Sequence, residues 1–187
     1  SILQQIEGEL IDSYGVKRNY EGHAYISKLR QNLEIRLSDL MYEELLISRE
    51  NKNILKVKVH SLYHDLFQSH ASQLGHYFRH LYHIVKFVDG SSEPNKKKYV
   101  DIVQSQMNTD ELYLTAINGI SNYGRKRMLP LLDKYSFLEN LIIDDSAVSH
   151  LIAIFYPNTK KKTLNNNMKN IVFVGGIHGV GKSHFAD

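Results

Sequence analysis

The spacing of apolar residues is the feature of this sequence that most restricts its fold. From residue 1 to about residue 156, apolar side chains recur mostly at intervals of three and four, and runs of strict alternation are scarce. An interval of three or four residues places side chains on one face of an α-helix. The sequence therefore predicts a mainly α protein in which residues 1–156 form a helical bundle.

Caps and turn residues divide this region into separate predicted helices. The first has an apolar face made by Ile2, Ile6, Leu10 and Tyr14. The next covers residues 25–47, either as one helix or as two that meet at a bend. Further helices are predicted over 53–67, 72–88, 94–107, 108–121, 125–141 and 146–156.

Composition limits the class of protein. The 187 residues are 42% hydrophobic and 23% charged, which is sufficient for one buried core. The absence of cysteine excludes disulfides and thiolate metal sites, and no apolar run reaches the roughly 18 residues that a membrane-spanning helix needs. We therefore expect a cytoplasmic protein. The net charge of +3 is too small to indicate a nucleic-acid partner by itself.

The end of the sequence indicates a different kind of domain. An apolar segment at 171–174 predicts a buried strand, and the residues after it match the pattern GxxxxGK[ST]. In such a P-loop, backbone amides surround the phosphates, the lysine reaches the β and γ phosphates, and the serine hydroxyl ligates Mg²⁺. We therefore expect ATP or GTP to bind with Mg²⁺, with Ser183 as the metal ligand, at Gly176, Gly179, Gly181, Lys182 and Ser183.

Residues 157–169 separate these two parts. They are rich in lysine and asparagine and offer little to bury, which is typical of a linker. The predicted organisation is a helical domain at 1–156, a linker at 157–169 and the start of a P-loop nucleotide-binding domain, cut short, at 170–187. Because the sequence begins without methionine and ends four residues after Ser183, we interpret it as a piece of a longer protein, and expect no tight nucleotide binding by this piece alone.

The segment 72–89 contains a second candidate site. On a helix, the face opposite its apolar residues would carry a basic stripe of His76, Arg79, His80, His83 and Lys86. A solvated helix face is the simplest interpretation. The alternatives are a metal site at a histidine pair, a surface for a nucleic-acid backbone or an acidic protein, and RNA cleavage. In RNA cleavage, Arg79 would stabilise charge while His83 or His80 transfers a proton.

The same helix carries a short motif, and two related stretches follow it. The pattern YFR.LY is matched by Tyr77, Phe78, Arg79, Leu81 and Tyr82. In the stretch that follows it, the residues to note are Gln106 and Asn118. Residues 74–141 resemble phage abortive-infection proteins of the AbiC-like group. The resemblance lies in three stretches, LGHYFRHLYHIVKFVD, KKKYVDIVQSQMNTDELYLTAINGIS and GRKRMLPLLDKYSFLENL. The sequence departs from the family pattern at Gln104, where that pattern usually has arginine, and at Met107 and Asn108.

The resemblance implies a bacterial anti-phage role, exerted by stopping growth of the infected cell. Proteins of this group often carry membrane-anchoring helices upstream of the matched region, so a membrane-anchored location of the longer protein stays open. Among the matched residues, Arg79 lies away from the apolar face and is the first candidate for function. Asn118 precedes Gly119, which indicates a helix end rather than a ligand.

Three functions are compatible with these patterns. The first is a helical sensor or effector module of an anti-phage protein, coupled to a P-loop NTPase domain. The second is an RNA-cleaving effector that uses Arg79 and His83, and the third is a nucleotide kinase with a helical appendage. The expected partners are a nucleotide and, further, RNA or a phage or host protein, and the oligomeric state is open.

Overall fold

The structure is a computed structural model that describes residues 7–11, 16–44, 52–142 and 146–159. In this part the chain is mainly helical, as predicted, with one small antiparallel sheet. The strands are β1 (Glu7–Ile11) and β2 (Lys17–Glu21). The helices are α1 (Gly22–Glu44), α2 (Lys52–Ser69), α3 (Ala71–Gly90), α4 (Lys96–Ser105), α5 (Thr109–Ile120), α6 (Met128–Lys134) and α7 (Ser146–Phe155).

The predicted first helix is wrong over its described residues, which form a hairpin instead. Glu7 pairs with Glu21 and Ile11 with Lys17 across β1 and β2. The prediction rested on apolar residues four apart, and four is also a multiple of the two-residue repeat of a strand. Leu10 is buried in the strand as it would be in a helix. The spacing alone therefore could not separate the two structures.

Helix α5 is the centre of the bundle. All ten residues from Glu111 to Ile120 are buried, and α1, α2 and α6 pack against it. The helices around it contribute apolar residues at intervals of three and four, which is why they each bury one face. In the first three helices, the buried apolar side chains are Tyr25, Ile26, Leu29, Leu33 and Leu37 of α1, Leu55, Val59, Tyr63 and Leu66 of α2, and Leu74, Tyr77, Phe78, Leu81 and Val85 of α3.

A capping box fixes the start of α5. The Asn108 side chain accepts a hydrogen bond from the Glu111 amide at 2.9 Å, and the Glu111 carboxylate accepts one from the Asn108 amide at 2.8 Å. The same carboxylate accepts a hydrogen bond from the Tyr77 hydroxyl at 3.0 Å, which joins α3 to α5. Burial, followed by the nearby Glu111 charge, raises the pKa of Tyr77 well above its usual value.

The end of the described chain is fastened to the bundle. The Tyr156 hydroxyl donates to the Ala116 carbonyl of α5 at 2.7 Å. Asn158 donates from its backbone and its side chain to the Asp133 carboxylate, each at 3.0 Å, and Thr159 is buried. The first residues of the predicted linker thus pack against the helices. The predicted strand and P-loop lie outside the described residues.

No helix within the described ranges is long and apolar enough to cross a lipid bilayer.

Candidate functional site

A cavity of about 220 Å³ lies where α2, α3, α5 and the turn at 121–127 meet. Two arginines and four aromatic residues dominate its lining, so we call it the arginine–aromatic cavity. These six residues are Phe67, Phe78, Arg79, Tyr82, Tyr123 and Arg127.

Helix α3 supplies one wall because four of its residues share a face. Gly75, Phe78, Arg79 and Tyr82 follow the i, i+3, i+4, i+7 spacing of a single helix stripe. This stripe lies beside the buried face of α3, so Phe78 is buried while Arg79 stays exposed. A Cβ placed on Gly75 would lie 3.8 Å from the Phe67 ring and 3.9 Å from an Arg79 guanidinium nitrogen. Both are ordinary van der Waals distances, so an alanine would fit at this position.

The turn at 121–127 supplies the opposite wall. Gly124 donates its backbone amide to the Asn118 carbonyl at 3.2 Å, which folds the turn back onto α5. A Cβ on Gly124 would lie 2.6 Å from that carbonyl oxygen, a distance that only glycine avoids. The close approach places Tyr123 and Arg127 on either side of Gly124 in the cavity lining.

Asn118 forms part of the inner lining of the cavity. It lies in the last turn of α5, which ends at Ile120, close to the predicted helix end, and it is buried. The side-chain amide donates to the Tyr63 hydroxyl at 3.1 Å, while its carbonyl Oδ1 accepts no hydrogen bond from any described residue. Burial raises the pKa of Tyr63 far above its usual value, so the phenol remains neutral.

Stacked rings form the aromatic side of the cavity. The rings of Phe67 and Tyr123 have centroids 3.9 Å apart and an angle of 25° between their planes. The Tyr123 hydroxyl accepts a hydrogen bond from the Gln68 amide at 2.8 Å and shares another with the His64 ring at 2.8 Å. These bonds hold a partly exposed tyrosine in place at the rim.

The cavity is positively charged. None of its lining residues is acidic, and in the described part of the chain neither Arg79 nor Arg127 forms an ion pair with a carboxylate. Burial lowers the pKa of neighbouring His60, and the charges of His64 and Arg125 lower it further. The cavity lining therefore has arginine N–H donors available and no carboxylate of its own to accept hydrogen bonds from them.

A larger cavity, of about 480 Å³, lies between the hairpin, α1 and α2. Its lining includes Glu9 and Asp65 as well as Lys17 and Arg36, so its acidic and basic side chains balance. It contains none of the residues that the sequence indicated for function, and we therefore give it less weight than the arginine–aromatic cavity.

The predicted site residues of α3 are only partly brought together. Arg79 lines the arginine–aromatic cavity, and His80 and His83 are exposed outside it. The His80 ring stacks on His76 with centroids 6.3 Å apart, and the His83 ring meets Tyr82 edge-on at 5.2 Å. The catalytic roles of Arg79, His80 and His83 stay predictions.

The described residues do not provide a set of ligands for the metal-site alternative. Within the described ranges, no group of three or more His, Asp or Glu side chains has a geometry that could hold a metal ion. The predicted nucleotide ligands Gly176, Gly179, Gly181 and Lys182, and the predicted metal ligand Ser183, all lie outside the described residues.

Two residues of the cavity were missed by the sequence interpretation. Arg127 and Tyr123 belong to the stretch NYGRKR, which was assigned only to a helix and its flank. A basic run directly after a glycine, at the end of an apolar helix, is the signal that could have indicated them.

The departure from the family pattern at Gln104 has a structural role. Gln104 is buried, its amide nitrogen donates to the Phe137 carbonyl at 2.6 Å, and its amide oxygen accepts from Asn140 at 3.2 Å. Gln106, at the end of α4, is exposed. Neither residue lines the arginine–aromatic cavity.

Part of the chain matches a known protein family. Residues 69–146, somewhat less than half of the sequence, match a family described as "Putative phage abortive infection protein". This match indicates a role in phage defence. It runs from the end of α2 to the start of α7 and includes every lining residue of the arginine–aromatic cavity except Phe67. No curated protein and no solved structure gave a significant match.

Proposed function

We propose that residues 1–156 are the sensor or effector module of a bacterial anti-phage protein, and that the arginine–aromatic cavity is its functional site. One observation carries this proposal. Phe78, Arg79 and Tyr82 of the YFR.LY motif lie in one cavity with Asn118, although about forty positions separate them along the sequence. All four residues belong to the region that matches the abortive-infection family.

Stability alone does not account for these side chains. Arg79 is exposed and has no carboxylate partner among the described residues, so its charge contributes little to folding. The Asn118 amide oxygen accepts no hydrogen bond from any residue that the structure describes. Unused donors and acceptors that converge on a cavity are typical of a site that binds a ligand.

We further propose that nucleotide bound by a P-loop NTPase domain sets the state of this module. The P-loop amides and Lys182 would bind the phosphates of ATP or GTP, and Ser183 would ligate Mg²⁺. The packing of Tyr156 against α5 supports a connection, since a force on the linker would reach the helix that lines the cavity. We place the module in the cytoplasm, with RNA or a phage or host protein as its downstream partner.

Phage plating on cells that express the complete protein tests the role of the cavity. Wild-type protein should lower the efficiency of plating, and Arg79→Ala should restore it by about tenfold or more because one charge-assisted contact is lost. Arg125→Ala is the matched control, since this arginine lies in the same turn but does not line the cavity. Full protection by Arg79→Ala would contradict the proposal.

Limited proteolysis of the complete protein tests the coupling. If nucleotide changes the state of the helical module, Mg·ATP should change the rate of cleavage within residues 157–169, and Lys182→Ala should abolish that change. An identical cleavage pattern with and without Mg·ATP in wild-type protein would show that the two parts are not coupled.

The RNA-cleavage alternative shares Arg79 with the leading proposal, and His83→Ala separates them. A nuclease needs the proton transfer that His83 would provide, so this variant should lose phage protection together with RNA degradation in infected cells. A sensor module should keep its protection, because His83 lies outside the cavity. The kinase alternative predicts phosphoryl transfer to a nucleotide acceptor by the complete protein.

A further inference from the structure

We propose that the arginine–aromatic cavity binds a free mononucleotide, with its phosphate between Arg79 and Arg127 and its base against the aromatic wall. The inference deepens the proposed function, because it assigns a ligand class to the same cavity. It concerns a nucleotide site separate from the P-loop.

The charge of the cavity selects an anion. Two guanidinium groups from different elements, one on α3 and one in the turn, line a single cavity that contains no acidic residue. Each guanidinium has five N–H donors in a planar arrangement that suits the oxygens of phosphate. Within the described ranges neither arginine is neutralised by a carboxylate. A dianionic phosphate would satisfy both.

The aromatic residues select a planar ring next to that anion. Phe67 and Tyr123 form a stacked pair, and Tyr82 lines the same cavity, with the Lys86 ammonium 5.6 Å from its ring centroid. A nucleobase stacks on such rings whatever its identity. Asn118 adds an amide oxygen that no described residue donates to, and it can accept a hydrogen bond from the amino group of a base.

The size of the cavity favours one nucleotide over a strand. Its volume of about 220 Å³ is below the roughly 300–1,000 Å³ of sites that enclose drug-sized ligands. One ring system fits inside, with sugar and phosphate toward the exposed arginines. Proteins that bind single strands instead use a charged groove with successive stacking positions. This cavity offers one such position.

Isothermal titration calorimetry with AMP and GMP tests the proposal. The titrations use the full chain carrying Lys182→Ala, so that the P-loop contributes no binding. Saturable binding is expected, and the uncharged nucleosides adenosine and guanosine should bind at least about tenfold more weakly. Arg79→Ala and Arg127→Ala should each weaken binding by about tenfold to a hundredfold, since each removes a charge-assisted contact.

Three further variants keep the result specific. Arg125→Ala removes the same charge from the same turn and should change the affinity by less than about threefold, because Arg125 does not line the cavity and charges outside the site are screened by salt. Arg79→Lys keeps the charge and loses the planar fork, so it should fall between wild type and Arg79→Ala. Tyr123→Leu should weaken the binding of AMP and of adenosine by the same factor. Circular dichroism and thermal unfolding confirm that each variant is folded.

Several results would overturn the proposal. They are absence of saturable binding of both mononucleotides, an equal loss with Arg125→Ala and Arg127→Ala, and binding of a single-stranded oligoribonucleotide when neither mononucleotide binds. If Arg79→Ala abolishes phage protection and no mononucleotide binds, the proposed function stands and this ligand assignment is wrong. If mononucleotides bind as described and Arg79→Ala still protects against phage, the ligand assignment stands and the proposed function is wrong.

Discussion

Replacing Gln104 by methionine should destabilise the helical domain through one hydrogen bond. Gln104 is 2% exposed, and its amide nitrogen donates to the Phe137 carbonyl at 2.6 Å. Methionine has nearly the same length and volume but cannot donate. The change therefore tests the hydrogen bond while leaving the packing of α4 close to that of the wild type.

The magnitude follows from what remains after the change. Among the described residues, no backbone amide bonds the Phe137 carbonyl, so the variant leaves a buried acceptor without a partner. Such a group costs about 1–3 kcal/mol of stability. Asn140 loses its bond to Gln104 as well, but Asn140 is exposed and water replaces that contact. For a chain of this size, the cost corresponds to a fall in Tm of roughly 2–12 °C.

Urea unfolding followed by far-UV circular dichroism measures this difference. Gln106→Met is the matched control, because Gln106 is exposed on the same helix end, and its stability should stay within about 0.5 kcal/mol of wild type. The reasoning is refuted if Gln104→Met is as stable as wild type, or if both variants lose the same amount.

Three further changes test other parts of the fold. Asn108→Ala removes the capping box of α5 and should cost about 1 kcal/mol in urea unfolding; no change in midpoint would show that the cap is dispensable. Gly119→Ala would place a Cβ 2.3 Å from the buried Tyr156 hydroxyl and should cost about 1–3 kcal/mol, whereas the double variant with Tyr156→Phe should recover part of the loss. If the two losses simply add, the predicted clash does not exist. The hydrogen bond from Lys134 holds the pKa of Asp89 below its usual value, so its stabilising effect is present above about pH 4 and is lost as the pH falls through the depressed pKa. The stability difference between wild type and Asp89→Asn should therefore shrink over that range, and a difference independent of pH would contradict the ion pair.

The helices could be predicted from sequence because burial of one face decides them. In α3, buried residues Leu74, Phe78, Leu81 and Val85 repeat at three and four positions, and the structure uses that stripe as expected. The hairpin could not be predicted in the same way. Its pairing of β1 with β2 depends on contacts between strands, which apolar spacing within one strand does not encode.

Only part of the candidate site could be predicted from the sequence, because some of its residues come together only through the folding of a turn. Arg79 could be identified because it belongs both to the YFR.LY motif and to the basic stripe opposite the apolar face of the predicted helix. Arg127 and Tyr123 could not be placed, since their position depends on how the turn at 121–127 folds back onto α5. The Asn118–Gly119 pair indicated the end of α5 to within two residues, but nothing in the sequence indicated that the Asn118 side chain would donate to the Tyr63 hydroxyl inside the bundle.

The central position of α5 affects how the chain is made. Helices α1 and α2 leave the ribosome before α5, and both bury apolar faces against it. At about 5–20 residues per second, roughly 3–10 s pass between synthesis of the end of α2 and of the end of α5. During that interval α1 and α2 lack the cover that α5 later provides, so a nascent chain stalled before Thr109 should recruit chaperones that a chain stalled past α7 no longer needs. Because the chain is synthesised from its N-terminus, the apolar faces of α1 and α2 are fully covered only once α5 has been made.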